Sequence, residues 1–263
     1  MRRELKGRRL LITGASSGIG RCIAEQAARA GARLVVTARS GKKLDELTRA
    51  FPEVMALPGD ITEPDHRQQL LRTAAERLGG LDALINNAGV ASFGHFATST
   101  EEILRKIMEV NFFAPAELIR GAIPLLAEGN QPAILNIVSM CGRCAMPAWL
   151  EYSASKFAFC GLSEALRAEM ARHDIAVLVV NPGLTRTPFR DNQLRKEGML
   201  KLDEERGQEP AVVAAAAFDA LKRNRAETVV GSDAKWMIRV HRWLPGLFAR
   251  LLARKVRQLY AGS

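Results

Sequence analysis

The chain has 263 residues, 48% of them apolar, and a formal charge of +10, enough to bury one sizeable core within a single domain spanning residues 1–263. No uninterrupted apolar run reaches the ~18 residues of a membrane-spanning helix. The basic excess is no nucleic-acid footprint: the first nine residues carry a net +4 and residues 234–263 a net +7, leaving the body between them at −1.

The start, MRRELKGRRLLITG, is basic, but its apolar stretch is too short for a secretory leader and runs straight into a glycine motif. A cytoplasmic setting is the expectation. Four cysteines are too few and too irregularly spaced for a disulfide framework. Cys141 and Cys144 form a C-x-x-C pair with no second pair to complete a tetrahedral zinc site. The sequence therefore implies no metal, and thiols packed beside a pocket.

Short β-branched runs alternate with helical patterns along the chain. Strands are predicted at Arg9–Thr13, Arg33–Ala38, Val54–Leu57, Ala83–Asn86, Ala133–Val138, Ile175–Val180 and Thr228–Val230. Helices are predicted over Ile19–Ala30, Pro64–Leu78, Glu101–Ala127, Tyr152–Arg172 and Pro210–Arg223. The strands are nearly continuous in apolar character, as parallel strands covered on both faces must be. The expected fold is α/β: a single, doubly wound parallel sheet of about seven strands, Rossmann-type, with ligands beyond the carboxyl ends of its strands.

After the first strand comes TGASSGIG, residues 13–20, with glycines at Gly14, Gly18 and Gly20. Glycines there admit a pyrophosphate to the backbone, and the following helix N-terminus offers N–H donors and partial positive charge. The second strand runs out at Ala38-Arg39-Ser40 with no carboxylate for the ribose 2′-hydroxyl of NAD. Arg39 can present a planar fork, and Ser40 a hydroxyl, to the 2′-phosphate of NADP. NADP(H) is thus expected over NAD(H).

Tyr152 and Lys156 stand four residues apart, on one helix face. A phenol of pKa ~10 needs a shift of ~3 units, ~4 kcal/mol, to serve as a base at neutral pH. An ammonium ~4 Å away supplies about that at an effective dielectric near 20. Ser139, at the end of the fifth strand, could hydrogen-bond a substrate carbonyl oxygen.

These motifs, in order and in register, resemble the short-chain dehydrogenase/reductase family over roughly residues 8 to 231. TGASSGIG is similar to its cofactor turn, and Leu57-Pro58-Gly59-Asp60-Ile61 to the segment whose Asp meets the adenine. Asn86-Asn87-Ala88-Gly89 matches the signature after the fourth strand, and Pro182-Gly183-Leu184-Thr185-Arg186-Thr187 the segment that closes over the nicotinamide. Asn111, Ser139, Tyr152 and Lys156 match the catalytic tetrad. The resemblance implies hydride transfer between a nicotinamide and a carbon bearing oxygen. In that reading Tyr152 passes the proton, Ser139 positions the substrate oxygen, Lys156 also holds the nicotinamide ribose, and Asn111 anchors a water relay. It further implies that the cofactor is held by Gly14, Ser16, Ser17, Gly18, Ile19, Gly20, Arg39, Ser40, Asp60, Ile61, Asn87, Ala88, Gly89, Tyr152, Lys156, Pro182, Gly183, Thr185 and Thr187. Many relatives carry a basic residue where Ser17 stands, so the NADP reading leans on Arg39. A homodimer or homotetramer paired through the Glu101–Ala127 and Tyr152–Arg172 helices is also implied.

Phe93, Phe96, Met140, Cys141, Met146, Trp149 and Phe189 are expected to reach the substrate pocket. That apolar set suits a lipophilic ketone or alcohol. A 3-oxoacyl-thioester reductase is the alternative enzyme, and a catalytically silent NADP-sensing regulator the alternative from another class. The polar stretch 184–209 is expected to be a substrate lid. Residues 234–263 form a basic amphipathic extension, interrupted at Pro245-Gly246. It suits either peripheral contact with an anionic membrane or a cover for the pocket or a partner subunit.

Overall fold

A computed structural model describes residues 3–189, 193–197 and 206–261. Seven strands, β1 (Arg9–Thr13), β2 (Arg33–Ala38), β3 (Met55–Pro58), β4 (Ala83–Asn86), β5 (Ala133–Ile137), β6 (Ala176–Pro182) and β7 (Glu227–Val230), form one sheet. Their order is β3-β2-β1-β4-β5-β6-β7, and every pairing is parallel. The expected doubly wound sheet is present.

Nine helices cover it among the described residues: α1 (Gly18–Arg29), α2 (Gly41–Ala50), α3 (Pro64–Thr73), α4 (Glu101–Met108), α5 (Ala114–Ala127), α6 (Leu150–Glu169), α7 (Pro210–Arg223), α8 (Ser232–Trp243) and α9 (Pro245–Tyr260). Side chains alternate across each strand, so the continuous apolar runs feed two cores at once. Leu10, Ile12, Leu34 and Val36 pack with Ile23 and Ala27 of α1, Leu44 of α2 and Phe218 of α7. Leu11, Val35, Leu84 and Ile134 pack with Leu70 of α3, Leu118 of α5 and Phe159 of α6.

Two expected helices are broken by wide turns. Pro64–Leu78 is α3 followed by a π turn at Ala74–Leu78, and Glu101–Ala127 is α4, a π turn at Glu109–Phe113, then α5. The second break has a local cause. Pro115 has no N–H for the carbonyl four residues back, and its ring occupies that space; a widened turn relieves the clash. Asn111 lies within this turn. The Glu101–Ala127 stretch is long and apolar enough by composition to cross a bilayer, but Leu118, Ile119, Ala122 and Leu126 are buried against the sheet. Helix α2 was not foreseen, because Leu44 and Leu47 are the only residues it buries.

The chain winds outward from β1 to β2 and β3, then returns to β4 on the other side of β1. Connections therefore diverge at the carboxyl ends of β1 and β4, which opens a crevice there.

Candidate functional site

That crevice is a cleft of about 480 Å³. Its floor is the turn after β1. Gly14 adopts φ +69°, and a Cβ there would lie 2.7 Å from the Asn87 Nδ2. Gly20 does not line the cleft; a Cβ on it would come within 2.2 Å of the Gly14 carbonyl, so its hydrogen lets α1 start against the turn. Asn87 fixes the turn by donating from Nδ2 to the carbonyls of Thr13 and Gly14, both at 3.1 Å. The Thr13 hydroxyl accepts from the N–H groups of Asn87 and Ala88 at 3.0 and 3.1 Å. Ser17, the N-cap of α1, makes no side-chain cap bond, and the first turn holds no acid. The N–H groups opening α1 are thus left to an anion. A Cβ on Gly18 would meet Thr187 at 3.0 Å, so the loop after β6 lies directly over the turn.

At one end of the cleft stand Arg39, Ser40, Lys43, Asp60, Ile61 and Lys106. Ser40 is the N-cap of α2. Burial would raise the Asp60 carboxyl, but the N–H and hydroxyl of Thr62, at 2.9 and 2.8 Å, hold it below its ordinary value, helped by the nearby charges of Lys106 and Arg39. Lys43 and Lys106 were not anticipated. Lys43 was hidden with α2, and Lys106 belongs to none of the sequence motifs.

At the other end, Ser139, Tyr152 and Lys156 line the same cleft as Gly89, Pro182, Gly183, Thr185 and Thr187. The Ser139 Oγ accepts from the Cys141 N–H at 3.1 Å and favours the ionised form of the neighbouring Tyr152 phenol. The Tyr152 ring is held edge-on by Trp149 at 5.6 Å and flanked by Phe189 at 5.8 Å. Lys156 Nζ stands 5.6 Å from the ring centroid. Gly89 lies between Lys156 and Asn111: a Cβ there would sit 3.5 Å from the ammonium and 3.1 Å from the Asn111 Oδ1. Asn111 is behind the cleft wall. It accepts from the Val90 N–H and donates to the Val90 carbonyl, both at 2.9 Å, and donates to the Ser155 hydroxyl at 3.0 Å.

The electrostatics differ from the sequence-based expectation. Burial pushes the Tyr152 phenol well above its ordinary value, reinforced by Cys141 and opposed by the nearby Ser139 hydroxyl. Burial also lowers Lys156 to about 8. Both charged forms lose solvation in the same pocket, and this desolvation outweighs the attraction expected between them. The anticipated lowering of the phenol by its lysine is absent from the protein by itself.

Met140, Cys141, Met146, Trp149 and Phe189 line the cleft as expected, joined by Leu194 and Met237. Phe93 instead supports Trp149, ring centroids 5.2 Å apart. Phe96 is a correction: it is 60% exposed and lies outside the cleft lining, carried away on the surface turn Phe96–Thr98. All four cysteines are free thiols, and burial raises Cys141, Cys144 and Cys160 to about 11, as inert packing groups. No cluster of metal-ligating side chains occurs among the described residues. Of the stretch 184–209, residues 190–192 and 198–205 lie outside the described residues. The piece 193–197 pairs with the loop after β4 through Leu194 N–H to Ala91 carbonyl and Glu197 N–H to Phe93 carbonyl, both at 2.8 Å. Asp233 and Met237 of α8 complete the wall, where the extension begins for which pocket cover was one of the two expectations.

The family model for the short chain dehydrogenase matches residues 8–198. The chain is 31% identical over 262 residues to the mouse (Mus musculus) dehydrogenase/reductase SDR family member 7B, covering 95% of this chain and 81% of that protein. Among solved structures, a short-chain dehydrogenase/reductase from Burkholderia phymatum in complex with NAD is 25% identical, with a TM-score of 0.84 over 93% of this chain and 96% of that one. A short-chain dehydrogenase from Burkholderia cenocepacia in complex with NADP is 27% identical, with a TM-score of 0.82 over 95% and 99%. The protein thus belongs to the short-chain dehydrogenase/reductase family, oxidoreductases that act on CH–OH groups with a nicotinamide cofactor.

Proposed function

We propose that the protein is an NADP(H)-dependent oxidoreductase acting on a carbonyl or secondary alcohol of a lipophilic small molecule. The carrying observation is that Ser139, Tyr152 and Lys156 open on the same cleft as the glycine turn at the start of α1. The residues fit a dinucleotide. Gly14 bares its backbone to the cleft at φ +69°, and the uncapped N-terminus of α1 faces the cleft. When bound, the nicotinamide supplies or accepts the hydride. Arg39, Ser40 and Lys43 would hold the 2′-phosphate, with the α2 N-terminus beside them. Asp60 and Ile61 would meet the adenine, and Ser16, Ser17, Ile19, Asn87, Ala88, Pro182, Gly183, Thr185 and Thr187 would line the remainder of the cofactor.

Tyr152 passes the proton at its phenol oxygen. Burial keeps that oxygen protonated across the neutral range, which is the form reduction of a carbonyl requires. Ser139 orients the substrate oxygen toward the phenol. Lys156, positioned beneath the ring, holds the nicotinamide ribose and stabilises negative charge arising on Tyr152. Trp149, Phe189, Met146 and Leu194 exclude water and favour an apolar substrate. The proposed lid, 184–209, borders the cleft through its described residues Leu184, Thr185, Thr187, Phe189 and Leu194; the enzyme works as a homo-oligomer, and a cytoplasmic setting suits its four free thiols. The test is NADPH consumption against a panel of apolar and polar ketones, with Tyr152→Phe alongside. Retained NADPH binding and loss of nearly all turnover are expected; a Tyr152→Phe enzyme with half the original kcat would refute the role.

A further inference from the structure

The cleft and its chemistry leave the two C-terminal helices unexplained. From residue 234 to the end the chain carries seven Lys or Arg and no acid. All seven, Lys235, Arg239, Arg242, Arg250, Arg254, Lys255 and Arg257, are exposed, and among the described residues none pairs with a carboxylate. Beside them is an apolar surface that a water-soluble face does not need. Trp236 is 60% exposed and Trp243 75%, and Leu244, Leu247 and Leu251 are also exposed. Trp236, Val240 and Trp243 fall at i, i+4 and i+7, along one side of α8. Among the described residues, only Ala234 of α8 and Phe248 of α9 are buried. Helix α9 leans on α8, where His241 meets Phe248 edge-on at 5.5 Å.

We propose that α8 and α9 together form a docking surface for an anionic lipid bilayer. Tryptophan with neighbouring arginine is the composition of an interfacial helix: the indoles enter the headgroup boundary while the cations meet lipid phosphates. A second copy of this chain is the disfavoured occupant. Twofold pairing through this surface would set the same cations against themselves, and the body of the protein, at −1 overall, carries little net charge to draw them. The placement also has a consequence for the active cleft. Asp233 and Met237 on α8 are part of its wall, so the lipid-facing helix is also a side of the substrate site. Entry of substrate from the bilayer rests on the lipophilic reading under Proposed function; the docking does not.

The experiment is sedimentation of the full-length protein with vesicles of phosphatidylcholine alone, or of phosphatidylcholine with phosphatidylglycerol, at low and moderate salt. Pelleting with the anionic vesicles only, weakened by salt, is expected, with a blue shift in tryptophan emission. Each basic residue near such a surface contributes about fivefold to binding, so Arg250→Gln with Arg254→Gln should weaken it by more than about tenfold. Trp236→Ser with Trp243→Ser should weaken it and abolish the blue shift, because Trp149, the third tryptophan, sits in the cleft. Unchanged far-ultraviolet circular dichroism shows that each variant folds. A full-length protein that stays in the supernatant with anionic vesicles overturns the proposal, as does pelleting that neither pair of substitutions weakens. A tryptophan variant that dissociates a dimer without any lipid binding assigns the surface to a second copy. Lipid-free NADPH turnover, read in the same samples, should be unchanged in both variants. Its absence from every sample would count against the proposed oxidoreductase activity and leave docking standing.

Discussion

Replacing Lys156 by Met should make the protein more stable while removing its activity. Lys156 is 3% exposed, and burial lowers its ammonium to about 8, with Cys160 and Cys141 only partly offsetting it. Below pH 8 both folded and unfolded chains carry the proton, and the folded state bears the full desolvation penalty. Between pH 8 and the ordinary value of 10.5 the unfolded chain binds more protons, so this residue makes stability rise with pH. The penalty amounts to about 3 kcal/mol at pH 7 and about 2 kcal/mol at pH 9. Methionine preserves the length of the stem and removes the charge. Urea unfolding of both proteins without cofactor should therefore show the variant ahead by about 3 kcal/mol at pH 7, shrinking to about 2 kcal/mol at pH 9. The pH dependence is the diagnostic part, since any packing difference between methionine and neutral lysine is common to both conditions. Cys141, Cys144 and Cys160, raised to about 11, act in the opposite direction as pH passes their ordinary value of 9, but in both proteins alike, so the difference between the two reads Lys156. Turnover should fall by about 10²-fold or more. A variant less stable than the parent at pH 7, or an advantage that does not shrink toward pH 9, would refute the reasoning.

Two further outcomes follow from the ends of the cleft. Ala38→Asp combined with Arg39→Ser should raise KM for NADPH by about tenfold or more while leaving KM for NADH nearly constant, since a carboxylate there repels a 2′-phosphate; equal changes for both cofactors would place Arg39 in solvent only. Arg195, buried, donates to the His95 carbonyl at 3.1 Å and the Thr98 hydroxyl at 2.6 Å and pairs with Glu197. It thereby ties residues 193–197, including cleft-lining Leu194, to the loop after β4. Arg195→Met should raise KM for the carbonyl substrate by about tenfold with little change for NADPH, and steady-state kinetics with either component varied would expose the opposite pattern.

How much was legible depended on whether a residue's signal was local. β1, β2 and β4 fell where the apolar runs placed them, because a strand covered on both faces advertises itself in every residue. The glycine turn and the Tyr152–Lys156 pair were equally visible, since fixed spacing along one element dictates their geometry. Helix α2 was not, for its burial rests on Leu44 and Leu47 alone. The breaks in α3 and before α5 were concealed by periodicity that runs on across them, although Pro115 held the clue to the second. Pocket cover was one reading of the C-terminal extension, but which of its residues reach the cleft, Asp233 and Met237, was not legible for another reason. Their place in the cleft depends on where β7 delivers α8, and no short-range pattern encodes that. The same distinction explains the error over the phenol. Spacing puts a lysine beside a tyrosine, but only the folded surroundings say that both are out of water.

Asn111 shows how this family resemblance and the local chemistry combine. Its side chain is held at three points: the oxygen by the Val90 N–H, and the amide by the Val90 carbonyl and the Ser155 hydroxyl. Ser155 in turn donates to the Tyr152 carbonyl at 2.8 Å, so the amide ties the loop after β4 to the turn of α6 that carries Tyr152 and Lys156. The amide oxygen, with one donor, keeps a second acceptor site, and Pro115 withholds from the Asn111 main-chain carbonyl the N–H that an α-helix would supply. In the proposed mechanism Asn111 anchors the relay as an acceptor, while its side chain fixes the loop after β4 beside the turn that carries Lys156. One proline thus accounts for the wide turn in which Asn111 lies.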